Sequence, residues 1–171
     1  MCNDSSDKIL WAPWRSKYFE VLKKTDYKDN CFLCNRKKNI GISDQSDEFM
    51  IIDRGKYSFV MLNAWPYNPY HLLIAPYEHI GDIEMLHREV VYEIMDFVIK
   101  FKHIITQITN AKDFNIGCNL GAAAGAGVAG HMHMHLVPRW IGDTGFMSVV
   151  SDTKIISNSL QNVSKILKEY L

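Results

Sequence analysis

His131-Met132-His133-Met134-His135-Leu136-Val137 decides how this chain is read. Histidine alternates with methionine and then leucine along it. A β-strand sends successive side chains to opposite faces, so a period of two marks a strand. The spacing predicts a strand over 131–138. His131, His133 and His135 then share one face, about 6.6–7 Å apart per step. Met132, Met134 and Leu136 point into the core. A helix would scatter the three imidazoles around its circumference. Each imidazole placed against a core needs a hydrogen-bond partner. Three in strict alternation are therefore poor filler and point to chemistry.

Neutral imidazole, with an ordinary pKa of about 6.5, is a competent nucleophile near neutral pH. Attack on a phosphate divides one difficult displacement into two through a covalent intermediate. A neighbouring histidine can donate to the phosphate oxygens as charge develops. The glycine- and alanine-rich segment Gly121–Gly130 runs directly into the histidines. Such a segment lets backbone N–H groups approach a phosphate closely. Two other readings stand beside this one: a metal held by three histidines, and hydrogen-bonded core histidines.

Outward from the triad, strand-like runs occupy Phe49–Ile52, Tyr57–Leu62, His71–Ala75 and Asp113–Asn119. Asp53-Arg54-Gly55-Lys56 reads as a hairpin turn. Trp65-Pro66-Tyr67-Asn68-Pro69 breaks the chain before the third strand. Residues 83–108 carry apolar side chains at three- and four-residue steps, the period of an amphipathic helix. Asp82 is placed to cap a first short turn. A second helix is expected near Ile155–Tyr170. Strands, helix, strands, helix is the order of an α+β domain with a mostly antiparallel sheet of about five strands. The chain reads as one domain over 1–171: an arm at 1–30, a core at 31–140, and a loop and helix at 141–171.

The sequence has 171 residues, 47% hydrophobic and 22% charged, with a formal net charge of zero. That balance argues against nucleic acid and membrane surfaces as partners and leaves small molecules. No apolar run approaches the ~20 residues that cross a bilayer. The opening residues lack the apolar core of a secretion signal, so a cytoplasmic location is expected. Of the four cysteines, Cys31 and Cys34 form a C-x-x-C pair. This is half of a zinc site, with reduced core thiols or a redox pair as alternatives. Cys118 is expected in the core, and His87 and His103 on the surface of the long helix. Trp11, Trp14 and Trp140 are read as packing groups.

His131–Val137 matches in full the His-φ-His-φ-His-φ-φ signature, with φ apolar, of the histidine triad (HIT) family. The resemblance extends in order through Leu10–Arg15, Cys31–Cys34, Leu62-Asn63, Pro66–Pro69, His71–Pro76, Pro138–Trp140 and Gly142–Thr144. Within the family the chain is similar to the bacterial and archaeal diadenosine tetraphosphate hydrolase or phosphorylase-like branch. The resemblance implies a HIT-like fold whose sheet continues across a homodimer. It implies His133 as the nucleophile on the α-phosphate and His135 as a contact to that phosphate. It puts Asn63 on the ribose, with Phe32, Leu33, Leu62 and His71 lining the nucleoside pocket. Asn119 and the backbone of Gly125, Gly127 and Val128 would meet the phosphate. It also points to His79 and His131 as the partners of Cys31 and Cys34 around a structural Zn²⁺.

The chain departs from the family pattern at several positions. Gly127 and Val128 stand where many relatives carry Gln and Ser or Thr. Tyr70 replaces a common Gly, and Gly145 a common Asn. The expected function is a nucleotidyl hydrolase or transferase. It would cleave AMP–X substrates of dinucleoside polyphosphate type through a nucleotidyl-histidine. Nucleoside phosphoramidate hydrolysis is one alternative, and a zinc-stabilised nucleotide-binding module without turnover is the other.

Overall fold

The structure is a computed structural model that describes residues 31–37, 50–143 and 158–171. The expected arm at 1–30, including Trp11 and Trp14, lies outside the described residues, as does Gly145. Helix α1 spans Phe32–Lys37, followed by strands β1 (Ile51–Arg54), β2 (Ser58–Leu62) and β3 (Leu72–Pro76). A 3₁₀ turn at Ile83–Met85 leads to the long helix α2 (Arg88–Thr109). Strand β4 (Asp113–Gly117), a 3₁₀ turn at Ala122–Ala124, β5 (Met134–Arg139) and helix α3 (Leu160–Lys168) complete the order. All five strands form one antiparallel sheet, β1-β2-β3-β5-β4.

β2 and β3 are buried at every position. Leu62 and Leu72 pair across them, as do Phe59 and Ala75. Helix α2 covers the sheet with Val90, Ile94, Phe97, Val98, Phe101, Ile104 and Ile105, the apolar stripe that its 3.6-residue period demands. It packs against β2, β3 and β5, and α3 packs against β1. β4 is the opposite case: an edge strand, exposed at four of its five positions.

The expected helix over 83–108 is two elements. Asp82 caps the 3₁₀ turn by accepting from the Glu84 N–H at 3.1 Å, and the chain then extends through Leu86 and His87 before α2 begins. The triad strand also starts later than the alternation predicts, at Met134 rather than His131. Ile74 pairs with Met134, and the same register would set Pro76 opposite Met132. Proline has no N–H to give to a ladder. The Met132 N–H turns instead to the Ile80 carbonyl at 2.7 Å. His131 and His133 thus stand just ahead of the strand, and only His135 is in it.

The β1–β2 turn comes later than Asp53–Lys56 predicts: Asp53 and Arg54 still belong to β1, and residues 55–57 make the turn, with the Gly55 N–H bonded to the Ser58 carbonyl at 2.9 Å. Glu93 of α2 holds this turn. Its carboxylate accepts from the Lys56 N–H at 2.7 Å, the Tyr57 N–H at 2.8 Å and the Ser58 hydroxyl at 2.6 Å. A Cβ at Gly55 would lie 2.5 Å from the Glu93 carboxyl carbon, so only glycine passes there without a shift. Glu93→Ala strands these three donors and is expected to cost about 1–3 kcal/mol in urea unfolding. An unchanged midpoint would show that water replaces the carboxylate at no cost.

Candidate active site

His133 sits at the mouth of β5 and is 5% exposed. Its Nδ1 lies 2.9 Å from the His131 carbonyl oxygen. A carbonyl only accepts, so Nδ1 carries the proton and the lone pair is left on Nε2. Five ångströms away, between ring centres, is His135. Its tautomer is set from the other side. The Tyr67 N–H donates to His71 Nδ1 at 3.1 Å. His71 therefore accepts at Nδ1 and carries its proton on Nε2. That proton goes to His135 Nδ1 at 2.9 Å, which leaves His135 with an Nε2–H. The two exposed ends are thus opposite in kind: a lone pair on His133 and a donor on His135.

Burial keeps these rings neutral. It pushes the His71 pKa down to about 3, with His135 and His133 adding repulsion. It pushes His135 down to about 4, again with a contribution from His133. His133 is lowered by burial too, against the opposing effect of its bond to the His131 carbonyl. At pH 7 the cluster acts through lone pairs and N–H dipoles rather than through charge.

His131 belongs to a second cluster. Its Nδ1 lies 3.3 Å from Cys31 Sγ and 3.5 Å from Cys34 Sγ, and His79 Nδ1 lies 3.2 Å from Cys34 Sγ. These four ligand atoms all lie within 4.8 Å of one another. Around tetrahedral zinc, with Zn–S about 2.3 Å and Zn–N about 2.0–2.1 Å, a sulfur and a nitrogen ligand stand about 3.6 Å apart. The donor set and its spacing therefore fit a metal. The supporting bond is also present, because His131 Nε2 lies 2.9 Å from the Pro76 carbonyl, the partner that fixes a ligating imidazole. Burial beside Cys34 pushes the Cys31 thiol up to about 11. A Cβ at Gly130 would meet His79 Nε2 at 2.9 Å, so the glycine-rich loop packs directly on this cluster.

Next to His135 a cleft of about 410 Å³ opens over β4 and β5. Asn115, Asn119 and Arg139 line it from the sheet side, and Tyr67 and Asn68 from the facing loop. Arg139 grips Asp143 with a fork, Nε to Oδ2 at 2.6 Å and Nη2 to Oδ1 at 2.9 Å, and reaches Asn115 Oδ1 through Nη1 at 2.7 Å. The guanidinium holds the Asp143 carboxyl well below the usual carboxylate range. Asn68 Nδ2 donates to the Pro138 carbonyl at 2.8 Å and to Asp143 Oδ2 at 2.7 Å.

The residues singled out in the sequence do not all come together. His133 and His135 lie side by side, and Cys31, Cys34, His79 and His131 form a cluster that could hold a metal ion. His71, 1% exposed, lies against His135 and acts on it directly. Leu33 and Leu62 are enclosed in the core, and Phe32 is partly buried against it. Asn63 is tied up locally: its Oδ1 accepts from the Trp65 N–H at 3.0 Å, and its Nδ2 lies 3.2 Å from His71 Nδ1. Asn119 reaches back to the Gly125 carbonyl at 3.4 Å. Val128 is buried, and its carbonyl accepts from the His131 N–H at 3.2 Å. Cys118 is half-buried, packed against the core as expected of it and also lining the cleft. The cleft residues Tyr67, Asn68, Asn115 and Arg139, and Asp143 behind Arg139, carry no role in the sequence reading. Pro66–Pro69 and Pro138–Trp140 carry part of the family resemblance, and Asn115 stands inside a strand, where asparagine is disfavoured unless bonded.

Tyr70 has φ of 62°, in the left-handed region that favours glycine, which explains the glycine common there in the family. Its ring is 6% exposed, so burial offsets the backbone cost.

Known proteins agree with this architecture. The HIT domain pattern matches residues 43–140. A protein of Mycobacterium tuberculosis named AP-4-A phosphorylase is 35% identical over 160 residues, covering 92% of this chain and 81% of its own. A bis(5′-nucleosyl)-tetraphosphatase (asymmetrical) of Schizosaccharomyces pombe is 30% identical over 86 residues, covering 50% of this chain and 47% of its own. The crystal structure of Plasmodium falciparum diadenosine triphosphate hydrolase in complex with cyclomarin A superposes with a TM-score of 0.58 at 25% identity, covering 72% and 77%. By its triad, its sheet and these relatives, the chain belongs to the HIT domain family.

Proposed function

We propose that this HIT-family enzyme cleaves dinucleoside polyphosphates at an α-phosphate, with transfer of the nucleotidyl group through His133. The observation that carries this reading is the opposed tautomers of His133 and His135. The His133 Nε2 lone pair attacks phosphorus while the His135 Nε2–H donates to a non-bridging oxygen. A P–N bond forms and the bond to the bridging oxygen breaks, so the rest of the phosphate chain leaves with the electron pair. The imidazole, now nucleotidylated at Nε2 and protonated at Nδ1, is positive. The His131 carbonyl at Nδ1 stabilises it. Water or inorganic phosphate then takes the nucleotidyl group and restores the ring, giving a nucleoside monophosphate or diphosphate. The names of the relatives, AP-4-A phosphorylase and bis(5′-nucleosyl)-tetraphosphatase, support this substrate class. Gly125, Gly127, Val128 and Asn119 belong to the loop that meets the phosphate, with Gly127 and Val128 contributing backbone only. In this reading Asn63 would meet the ribose, and Phe32 the base.

Cys31, Cys34, His79 and His131 would hold a structural Zn²⁺. When bound, it would join α1 to the residues after β3 and to the start of the triad. A homodimer is part of the same reading. Among the described residues β4 offers an unpaired strand edge, and Tyr92, Met95 and Ile99 of α2 are 63%, 41% and 65% exposed, features that partners commonly cover.

His133→Asn should lower turnover of diadenosine tetraphosphate by more than about 1,000-fold while leaving the fold intact. Acid quench of the unsubstituted protein should trap a nucleotidyl-enzyme. Retained activity in the variant would end this mechanism. Because burial disfavours protonation of His133, whose lone pair the attack needs, the acid limb of kcat/KM should lie below the ordinary histidine value. A limb near about 6.5 would mean exposed rings. Metal analysis should find about one zinc per chain, and chelation should lower Tm in the unsubstituted protein but not further in Cys31→Ser. Sedimentation should give twice the 19.7 kDa chain mass; the monomer mass would exclude the dimer.

A further inference from the structure

Asn68 Oδ1 is a buried acceptor with no hydrogen-bond partner among the described residues. The residue is 1% exposed. Turning the amide over gives no relief, because both partners of Nδ2 are acceptors. Buried polar atoms are almost always paired, so one left open beside a cleft asks for a donor from outside the chain. Asn68 lines the cleft that begins at His135.

We infer that this cleft receives the nucleoside on the departing side of the substrate, and that Asn68 Oδ1 accepts an O–H or N–H from it. The inference rests on the reading of the chain as a dinucleoside polyphosphate enzyme. Position supports it: the cleft starts at the residue assigned to the phosphate oxygens, so a chain extending from that phosphate reaches it. Chemistry supports it more strongly. A polyphosphate near neutral pH carries acceptors and no donors along its bridging and ionised oxygens, so it cannot satisfy Oδ1. Ribose hydroxyls and the exocyclic amines of bases can. The cationic group of the cleft is already engaged, since Arg139 is bonded to both carboxylate oxygens of Asp143 and to Asn115. What remains is a neutral, amide-lined site with the half-exposed Tyr67 ring as an apolar wall. Its volume of about 410 Å³ lies within the range of ordinary ligand sites.

Gly117 supplies the test. It lines the cleft, its φ is not in the left-handed region, and an added Cβ meets nothing within 4 Å. Gly117→Val fills the cleft with a residue that suits a strand, and Gly117→Ala checks that the position tolerates a side chain. Dissociation constants are measured for diadenosine tetraphosphate and for adenosine 5′-tetraphosphate, which has the same phosphate chain without the second nucleoside. A His133→Asn background prevents turnover. Gly117→Val should weaken the dinucleotide by about tenfold or more and leave the mononucleotide within about twofold. Equal losses for both ligands, or equal affinities without any substitution at Gly117, would overturn the subsite. Turnover by the otherwise unaltered protein is read separately. Failure to cleave either compound would overturn the proposed reaction, whereas a missing affinity difference overturns only the subsite. Failure to bind either compound overturns both.

Discussion

The carbonyl oxygen of His131 joins the two halves of this molecule. On the ring side, His131 lies among Cys31, Cys34 and His79, with its Nε2 on the Pro76 carbonyl. On the backbone side, the same residue receives the Nδ1 proton of His133. The orientation of the His133 imidazole is therefore inherited from the Cys–His cluster through a single peptide group. The position of His131 depends in turn on β3, whose terminal proline ends the ladder and leaves its carbonyl free to accept.

The remaining histidines are ordered from the opposite wall. Tyr67, His71 and His135 form a one-way series of donors that begins at a backbone amide. Neither series needs a charged residue. A carboxylate in place of the His131 carbonyl or the Tyr67 amide would draw protons onto the rings and raise their pKa values. Peptide groups orient the rings and leave them neutral. The floor beneath is equally constrained, because β2 and β3 are buried throughout and cannot shift register without driving polar groups into the core.

Much of this was legible in the sequence because it depends on period and spacing. The apolar stripe of α2, the hairpin at Gly55 and the five strands follow from patterns that tertiary packing did not override. The triad itself was legible in composition but not in geometry. Alternation implied one shared face, yet Pro76 ends the ladder early, and the three rings divide between two clusters. The fate of Asn68 was not legible at all. Its two acceptors come from Pro138 and Asp143, some seventy residues away, and no local rule reports which side of an amide is left over. The same holds for His71, whose role depends on meeting His135 across β3 and β5.

The neutrality of the histidine cluster bears on how a polyanion arrives. Lys and Arg together number 19, as do Asp and Glu, so the chain has no net field to draw a phosphate ester from a distance. With its imidazoles uncharged, the site adds no local attraction at long range. Encounter is then governed by ordinary diffusion and shape, with little dependence on ionic strength. In the proposed reaction, selection falls to contact, where oriented N–H groups and one lone pair would meet the phosphorus centre.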